Sequence, residues 1–180
     1  MINKPLFFRV LQTRKLDNKR ILETVVPYLG IDTSREQTYP AHALTQSVIL
    51  KMSYNWKDMT SYELEYSRHL LPLLGTLVED LKDTYTYKNF TLFRALFVVL
   101  PAGATIHPHT DNGESFHKTH RIHYALKTNK DVDFIVDGVK LPFMEHPCIE
   151  INNLALHSVV NNGTEDRVHL IVDVYDKDNC

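Results

Sequence analysis

Past residue 90 the chain is a succession of short apolar segments cut by turns, and this pattern constrains the fold more than any other feature. The run FTLFRALFVVL (90–100) is dense in aromatic and β-branched residues and apolar on both faces, which predicts a buried strand. RIHYALKT, DFIVDGV, CIEIN and RVHLIVDVY read as further strands. Between them, Asp137-Gly138 marks a hairpin and Asn161-Asn162-Gly163 a loop. A train of this kind predicts an antiparallel sandwich or barrel.

The first 89 residues have a different texture and read as support for that barrel. FFRVLQT (7–13) and TQSVILKM (45–52) predict strands. Asp17 can cap a helix whose apolar face is Ile21, Leu22, Val25, Val26 and Leu29, with Leu16 and Ile21 placed as a hydrophobic staple. Leu70, Leu71, Leu74, Leu77, Val78 and Leu81 recur at helical spacing, which predicts a helix over 67–83 with Pro72 in its first turn. The expected class is mainly β with flanking helices. The 180 residues form one domain, divided into N-terminal support (1–89) and barrel core (90–175).

Charge and cysteine usage exclude several functions. A formal net charge of -2 gives no electrostatic footprint for nucleic acid. Two cysteines, Cys148 and Cys180, make no disulfide framework and read as free thiols. Arg9 breaks the apolar N-terminal run, so no signal peptide is read there. No stretch approaches the ~18 apolar residues of a membrane helix. These features predict a cytoplasmic protein.

Histidine is the outlier: of ten, five fall between 107 and 123. In HPHTD (107–111), His109 and Asp111 are two apart, so on an extended segment they point to the same side. A third ligand must come from downstream, and His157 stands out between NNLAL and SVVN. Two histidines and one carboxylate make the facial triad of non-haem Fe(II) oxygenases, which leaves positions open for a co-substrate and O₂. Structural zinc would call for four ligands, usually with cysteine among them.

Two arginines extend the pattern. Arg167 opens an apolar strand ten residues after His157, and a guanidinium buried there needs an anionic partner. A dicarboxylate such as 2-oxoglutarate would supply one; Glu165 or Asp166 is the alternative. Arg121 and His123, two apart in RIHYALKTN, would face the same cavity and meet the ligand's other carboxylate. His107 reads as a rim residue, His169 as a packing residue, and His117 and His120 as solvent-facing loop residues. Asn152, Asn153 and Asn161 are placed to orient the loop that carries His157.

The segments LPAGATIHPHTD, RIHYALKTN and NNLALHSVVNNGTEDRVHLIVDV, in that order, resemble the aspartyl/asparaginyl β-hydroxylase-like branch of the Fe(II)/2-oxoglutarate dioxygenases. The resemblance implies a double-stranded β-helix with iron at one mouth, held by His109, Asp111 and His157. It implies Arg167 on the distal carboxylate of 2-oxoglutarate, with Arg121 and His123 near the other end. Asp111 is a departure from the best-known members, which lack the acidic ligand, and aligns the chain with the small amino-acid hydroxylases that keep it. A family serine that helps hold the co-substrate would fall near Val98. The expected activity is hydroxylation of an amino acid, or of an amino-acid side chain in a peptide or protein. The rival is a cupin-like metal protein with isomerase-type or no activity, which would have no use for two converging arginines.

Overall fold

The computed structural model describes residues 2–53, 57 and 59–179. Among these residues, eleven strands form two sheets. They are β1 (Phe8–Val10), β2 (Gln46–Ser53), β3 (Ser61–Glu63), β4 (Phe90–Leu100), β5 (Thr105–His109), β6 (His120–Lys127), β7 (Val132–Val136), β8 (Val139–Lys140), β9 (Cys148–Ile151), β10 (His157–Asn161) and β11 (Arg167–Asp176). The major sheet runs β1-β9-β6-β11-β4-β2-β3 and the minor sheet β5-β10-β7-β8. Every pairing is antiparallel, and the fold is the double-stranded β-helix expected from the sequence.

The central strands are apolar on both faces because both faces are covered. Ala95, Phe97, Val99, Val168, Leu170, Val172 and Val174 join Leu70, Leu74, Leu77 and Leu81 in a core beneath the helices. Leu100, Ala125, Ile149 and Ile151 meet Ile106, Phe134, Val136 and Val159 of the minor sheet in a second core. At roughly 1.5–3 kcal/mol for each fully buried large side chain, these two layers supply most of the favourable free energy of folding. β1, β2 and β3 show that the N-terminal half also extends the major sheet.

Helix α1 (Asn18–Val25) starts as the sequence predicts, with the Asp17 side chain accepting from Arg20 N, and Leu16 and Ile21 both buried in the core. Short helix α2 (Ser34–Thr38) follows. The continuous helix expected over 67–83 is instead three pieces: α3 (Ser67–Leu70), a 3₁₀ turn over Leu71–Leu74, and α4 (Gly75–Tyr85). Pro72 is the physical reason. It lacks an N–H and its ring crowds the preceding turn, so the chain tightens there before α-helix resumes. The leucine stripe survives the break, and Leu70, Leu74, Leu77 and Leu81 are all buried. The first strand is shorter than predicted, three residues rather than seven. A last helix, α5 (Glu114–Lys118), bridges β5 and β6.

The hairpin at Asp137-Gly138 forms between β7 and β8, with φ of 47° and 80° at its two central residues. Both in the left-handed region make a type I′ turn, whose twist matches the strands it joins. Cys148 is a buried free thiol; Cys180 lies outside the described residues. No helix among the described residues is long and apolar enough to cross a membrane.

Candidate metal and co-substrate site

The site sits at one end of the barrel, where β5 and β10 of the minor sheet face β6 and β11. His157 and His109 are direct cross-strand partners in the β10–β5 register. Beyond β5 the chain turns inward, and Asp111 N donates to Asn153 O at 3.0 Å. Ligand atoms of His109, Asp111 and His157 thus lie within 4.8 Å of one another.

Second partners orient each of the three. His109 Nδ1 bonds His107 O at 2.8 Å, and His157 Nδ1 bonds Ala155 O at 2.9 Å. A carbonyl only accepts, so both rings carry their proton on Nδ1 and present a bare Nε2. Burial holds the His157 imidazole below its usual pKa, which keeps it in the neutral form. Asp111 Oδ2 accepts from Arg121 Nη1 at 2.6 Å and from Asn153 Nδ2 at 3.0 Å, and Oδ1 carries no hydrogen bond among the described residues. Lys4 Nζ donates to Asn153 Oδ1 at 2.7 Å, which fixes the amide with its NH₂ towards Asp111. Two imidazole nitrogens and one carboxylate oxygen are therefore free at one point.

Behind them a narrow recess runs inward, lined by Val98, Ile106, His123, Phe134, Val159 and Arg167 among others. Arg167 is 1% exposed, with no carboxylate within ion-pair distance among the described residues. Its Nη2 donates to His169 Nδ1 at 2.6 Å, its guanidinium lies 5.4 Å from the Phe134 ring centroid, and its Nε is buried without a partner. Burial, then repulsion from Arg35, lowers its pKa to about 9. Glu165 and Asp166, the alternative protein partners, do not reach it. His123 and His169 are held neutral by burial and by the Arg167 charge, and His123 Nδ1 is also orphaned. A buried guanidinium among apolar walls, with unsatisfied polar atoms beside it, fits a bound carboxylate.

Arg121 stands differently from the sequence expectation. Its guanidinium is engaged with protein acids: Nε and Nη2 donate to the two Asp173 oxygens, each at 2.8 Å, and Nη1 donates to Asp111. Arg94 Nη1 meets the same Asp173 at 2.8 Å. The sequence reading omitted Asp173, although its place in an apolar strand at the same parity as Arg167 and His169 was a usable signal. Arg121 therefore braces Asp111 rather than offering a free fork to a ligand.

His120 also departs from expectation. It is buried rather than solvent-facing, with Nδ1 on Glu150 Oε1 and Nε2 2.6 Å from the Tyr87 hydroxyl. It opens β6 on the face under α4, and the partners that make burial tolerable, Glu150, Tyr85 and Tyr87, are remote in sequence. His107 and His117 are exposed, as read. Asn161 Nδ2 ties β10 to Leu100 O and Pro101 O, both at 3.1 Å, which sets where β5 begins.

In front of the triad a wider cavity of about 550 Å³ opens, lined by Arg35, Tyr39, His42, Met52, Phe116 and Ile171 among others. Arg35 and His42 come from the N-terminal half, where no motif marked them. The His42 ring stands edge-on to His109, with centroids 5.0 Å apart, and burial with the nearby Arg35 lowers its pKa to about 2. It is a neutral wall at neutral pH.

A family model described as aspartyl/asparaginyl beta-hydroxylase matches residues 23–177. A search of curated proteins finds no match. Among solved structures, the chain resembles a 2OG-Fe(II) oxygenase family oxidoreductase from Burkholderia pseudomallei at 12% identity and a TM-score of 0.55, over 93% of this chain and 96% of that one. Viral collagen prolyl hydroxylase of Paramecium Bursaria Chlorella virus-1, solved as a 2OG complex, matches at 6% identity and a TM-score of 0.57, over 94% and 96%. HygX of Streptomyces hygroscopicus, solved with nickel, 2-oxoglutarate and hygromycin B, matches at 12% identity and a TM-score of 0.55, over 94% and 83%. At such identities these likenesses concern the fold. The family match spans most of the length, and the chain belongs to the aspartyl/asparaginyl β-hydroxylase family, whose chemistry is 2-oxoglutarate-dependent hydroxylation.

Proposed function

We propose that His109, Asp111 and His157 hold Fe(II), that Arg167 holds the distal carboxylate of 2-oxoglutarate, and that the enzyme hydroxylates an aliphatic C–H of an amino acid or of an amino-acid side chain in a peptide or protein. The observation that carries this reading is the convergence of two bare Nε2 atoms and one free carboxylate oxygen at the head of a recess that ends in a guanidinium with no carboxylate partner among the described residues. Iron with 2-oxoglutarate and O₂ supplies the oxidising power, coupling oxidative decarboxylation to insertion of one oxygen atom into substrate.

The chain's own residues bind, orient and insulate. The backbone carbonyls of His107 and Ala155 lock the two imidazoles in the ligating tautomer. Arg121 and Asn153 grip Asp111 Oδ2 and leave Oδ1 for the metal. Arg167, steadied by His169 and Phe134, receives a carboxylate in a planar fork that a lysine could not reproduce. His123, neutral, lines the recess between those two ends as a donor or acceptor. Val98, near the place where the family has a serine, contributes an apolar side chain to that wall. The buried walls exclude water from the reacting centre.

Anaerobic calorimetry of Fe(II) and then 2-oxoglutarate binding, followed by a mass-spectrometric search of metabolite and peptide pools for a product heavier by one oxygen atom, tests the reading. His157→Ala should lower iron affinity at least ten- to a hundred-fold and abolish succinate release. Unchanged iron affinity in that variant would remove His157 from the ligand set.

A further inference from the structure

Arg35 is a second buried guanidinium with incomplete partners. It lines both the wide cavity and the inner recess, at the boundary between them. It is 8% exposed. Its Nη1 donates to Thr45 Oγ1 at 2.9 Å, and its Nε and Nη2 make no hydrogen bond among the described residues. The acid nearest in sequence, Glu36, lies 3.9 Å away and accepts instead from Ser47 Oγ at 2.6 Å. Glu36 lines a separate pocket on the other side of α2 with Thr33 and Gln46. Burial lowers the Arg35 pKa to about 10, so the group remains charged at neutral pH.

The charges around the cavity indicate what would complete it. Four guanidiniums, of Arg35, Arg94, Arg121 and Arg167, line the cavity and recess. Among the described residues, Arg94 and Arg121 form ion pairs with Asp173, Arg121 also with Asp111, and Arg35 meets Glu36 only at 3.9 Å. Both carboxylates of 2-oxoglutarate are accounted for, one at Arg167 and one at the metal. Asp111, the one carboxylate among the described residues that line the cavity, is already engaged by Arg121 and Asn153, which leaves no described carboxylate there for a substrate ammonium. Tyr39, Pro40, Met52, Leu96 and Phe116 give the wall a large apolar and aromatic share, with Thr110 and Asn112 among its neutral polar members.

We infer that Arg35 anchors the carboxylate of the primary substrate, and that this substrate is a monoanionic acid with an apolar body and no adjacent free ammonium. An N-acylated amino acid, a simple carboxylic acid or an acidic side chain within a peptide meets this description; a free zwitterionic amino acid does not. The inference rests on the co-substrate assignment above, which takes the other carboxylates out of contention.

Three probes of one length separate the alternatives: hexanoate, its neutral isostere hexanamide, and L-norleucine, which is hexanoate carrying an α-ammonium. Each is titrated by calorimetry into the full chain loaded with Zn(II) and 2-oxoglutarate, and 2-oxoglutarate is titrated separately. Hexanoate should bind at millimolar concentration or below, with hexanamide and norleucine at least ten-fold weaker. Arg35→Gln should weaken hexanoate by roughly ten-fold or more, the cost of losing a charged hydrogen-bonded partner, and leave 2-oxoglutarate affinity within about two-fold. Arg35→Lys keeps the charge and should lose less; it decides the matter if the melting curve shows Arg35→Gln unfolded. Absence of hexanoate binding to the parent, or equal binding in the Arg35 variants, overturns the anchor. Norleucine binding as tightly as hexanoate overturns the exclusion of zwitterions. Loss of 2-oxoglutarate rather than hexanoate affinity reassigns Arg35 to the co-substrate. If 2-oxoglutarate fails to bind the parent while hexanoate still binds through Arg35, the functional reading falls and the anchor stands.

Discussion

Arg167→Met should make the ligand-free protein more stable while destroying its response to 2-oxoglutarate. The guanidinium is buried with no carboxylate within ion-pair distance among the described residues, and burial with Arg35 pulls its pKa from an ordinary 12.5 to about 9. At 1.36 kcal/mol per pH unit that fall corresponds to roughly 5 kcal/mol of unfavourable burial. The hydrogen bond to His169 returns roughly 1.5–3 kcal/mol and the Phe134 face about 0.5–2 kcal/mol. Methionine fills similar length with no charge, so the variant should gain between about 0 and 3 kcal/mol, or up to roughly 12 °C in Tm for a chain of this size. The parent should in turn be stabilised by the ligand, by about 2.7 kcal/mol at a hundred-fold excess over Kd. Differential scanning calorimetry of parent and variant, with and without 2-oxoglutarate and Zn(II), reads both effects. A variant that melts below the ligand-free parent and still gains stability from 2-oxoglutarate would refute the argument, because the charge would then be satisfied within the protein.

Arg121→Met should act in the opposite direction, because it leaves Asp111 and Asp173 short of a partner. A loss of about 3–5 kcal/mol is expected from breaking a buried pair, read by urea unfolding. Burial alone would raise the Asp173 carboxyl, but Arg121 and Arg94 outweigh it and hold it well below its ordinary 3.8. A carboxylate with a depressed folded pKa adds stability that is present above its ordinary value and lost as the pH falls below it. The parent should therefore lose stability below about pH 4, with a shallower acid dependence in Arg121→Met; an unchanged slope would count against the pairing. Burial pushes the Cys148 thiol up to about 12, so iodoacetamide at pH 8 should modify the peptide containing it only after denaturation, as peptide mass spectrometry would show. Leu77→Ala, in the fully buried stripe of α4, should cost about 2–5 kcal/mol; a loss under 1 kcal/mol would mean that the site collapses around the missing atoms.

Local backbone geometry made much of this protein legible from sequence. The pleat period of two predicts His109 and Asp111 on one side, an outcome reached by the inward turn after β5, and places Arg167, His169 and Asp173 on one face of β11. The left-handed preference of Asp137-Gly138 sets the β7–β8 turn, and the cap at Asp17 starts α1. The apolar texture of 90–100 announced a strand covered on both sides, and the two cores supply the covers. These features depend on neighbours within a few residues, which a sequence displays directly.

What the tertiary structure decided is the pairing of groups far apart in the chain. Sheet order brings β5 beside β10 and so places His157 opposite His109; spacing alone supplied two ligands and a choice of thirds. The engagement of Arg121 with Asp173, 52 residues away, turned an expected ligand contact into a brace for Asp111. His120 became buried because Glu150, Tyr85 and Tyr87 surround it from other elements. Arg35 and His42 reach the cavity only because α2 and the turn after it fold back over the barrel mouth, and nothing in their own segment marks them. Whether a charge is satisfied depends on which partner lies within about 3 Å of it, a matter of three-dimensional proximity that one-dimensional periodicity does not encode.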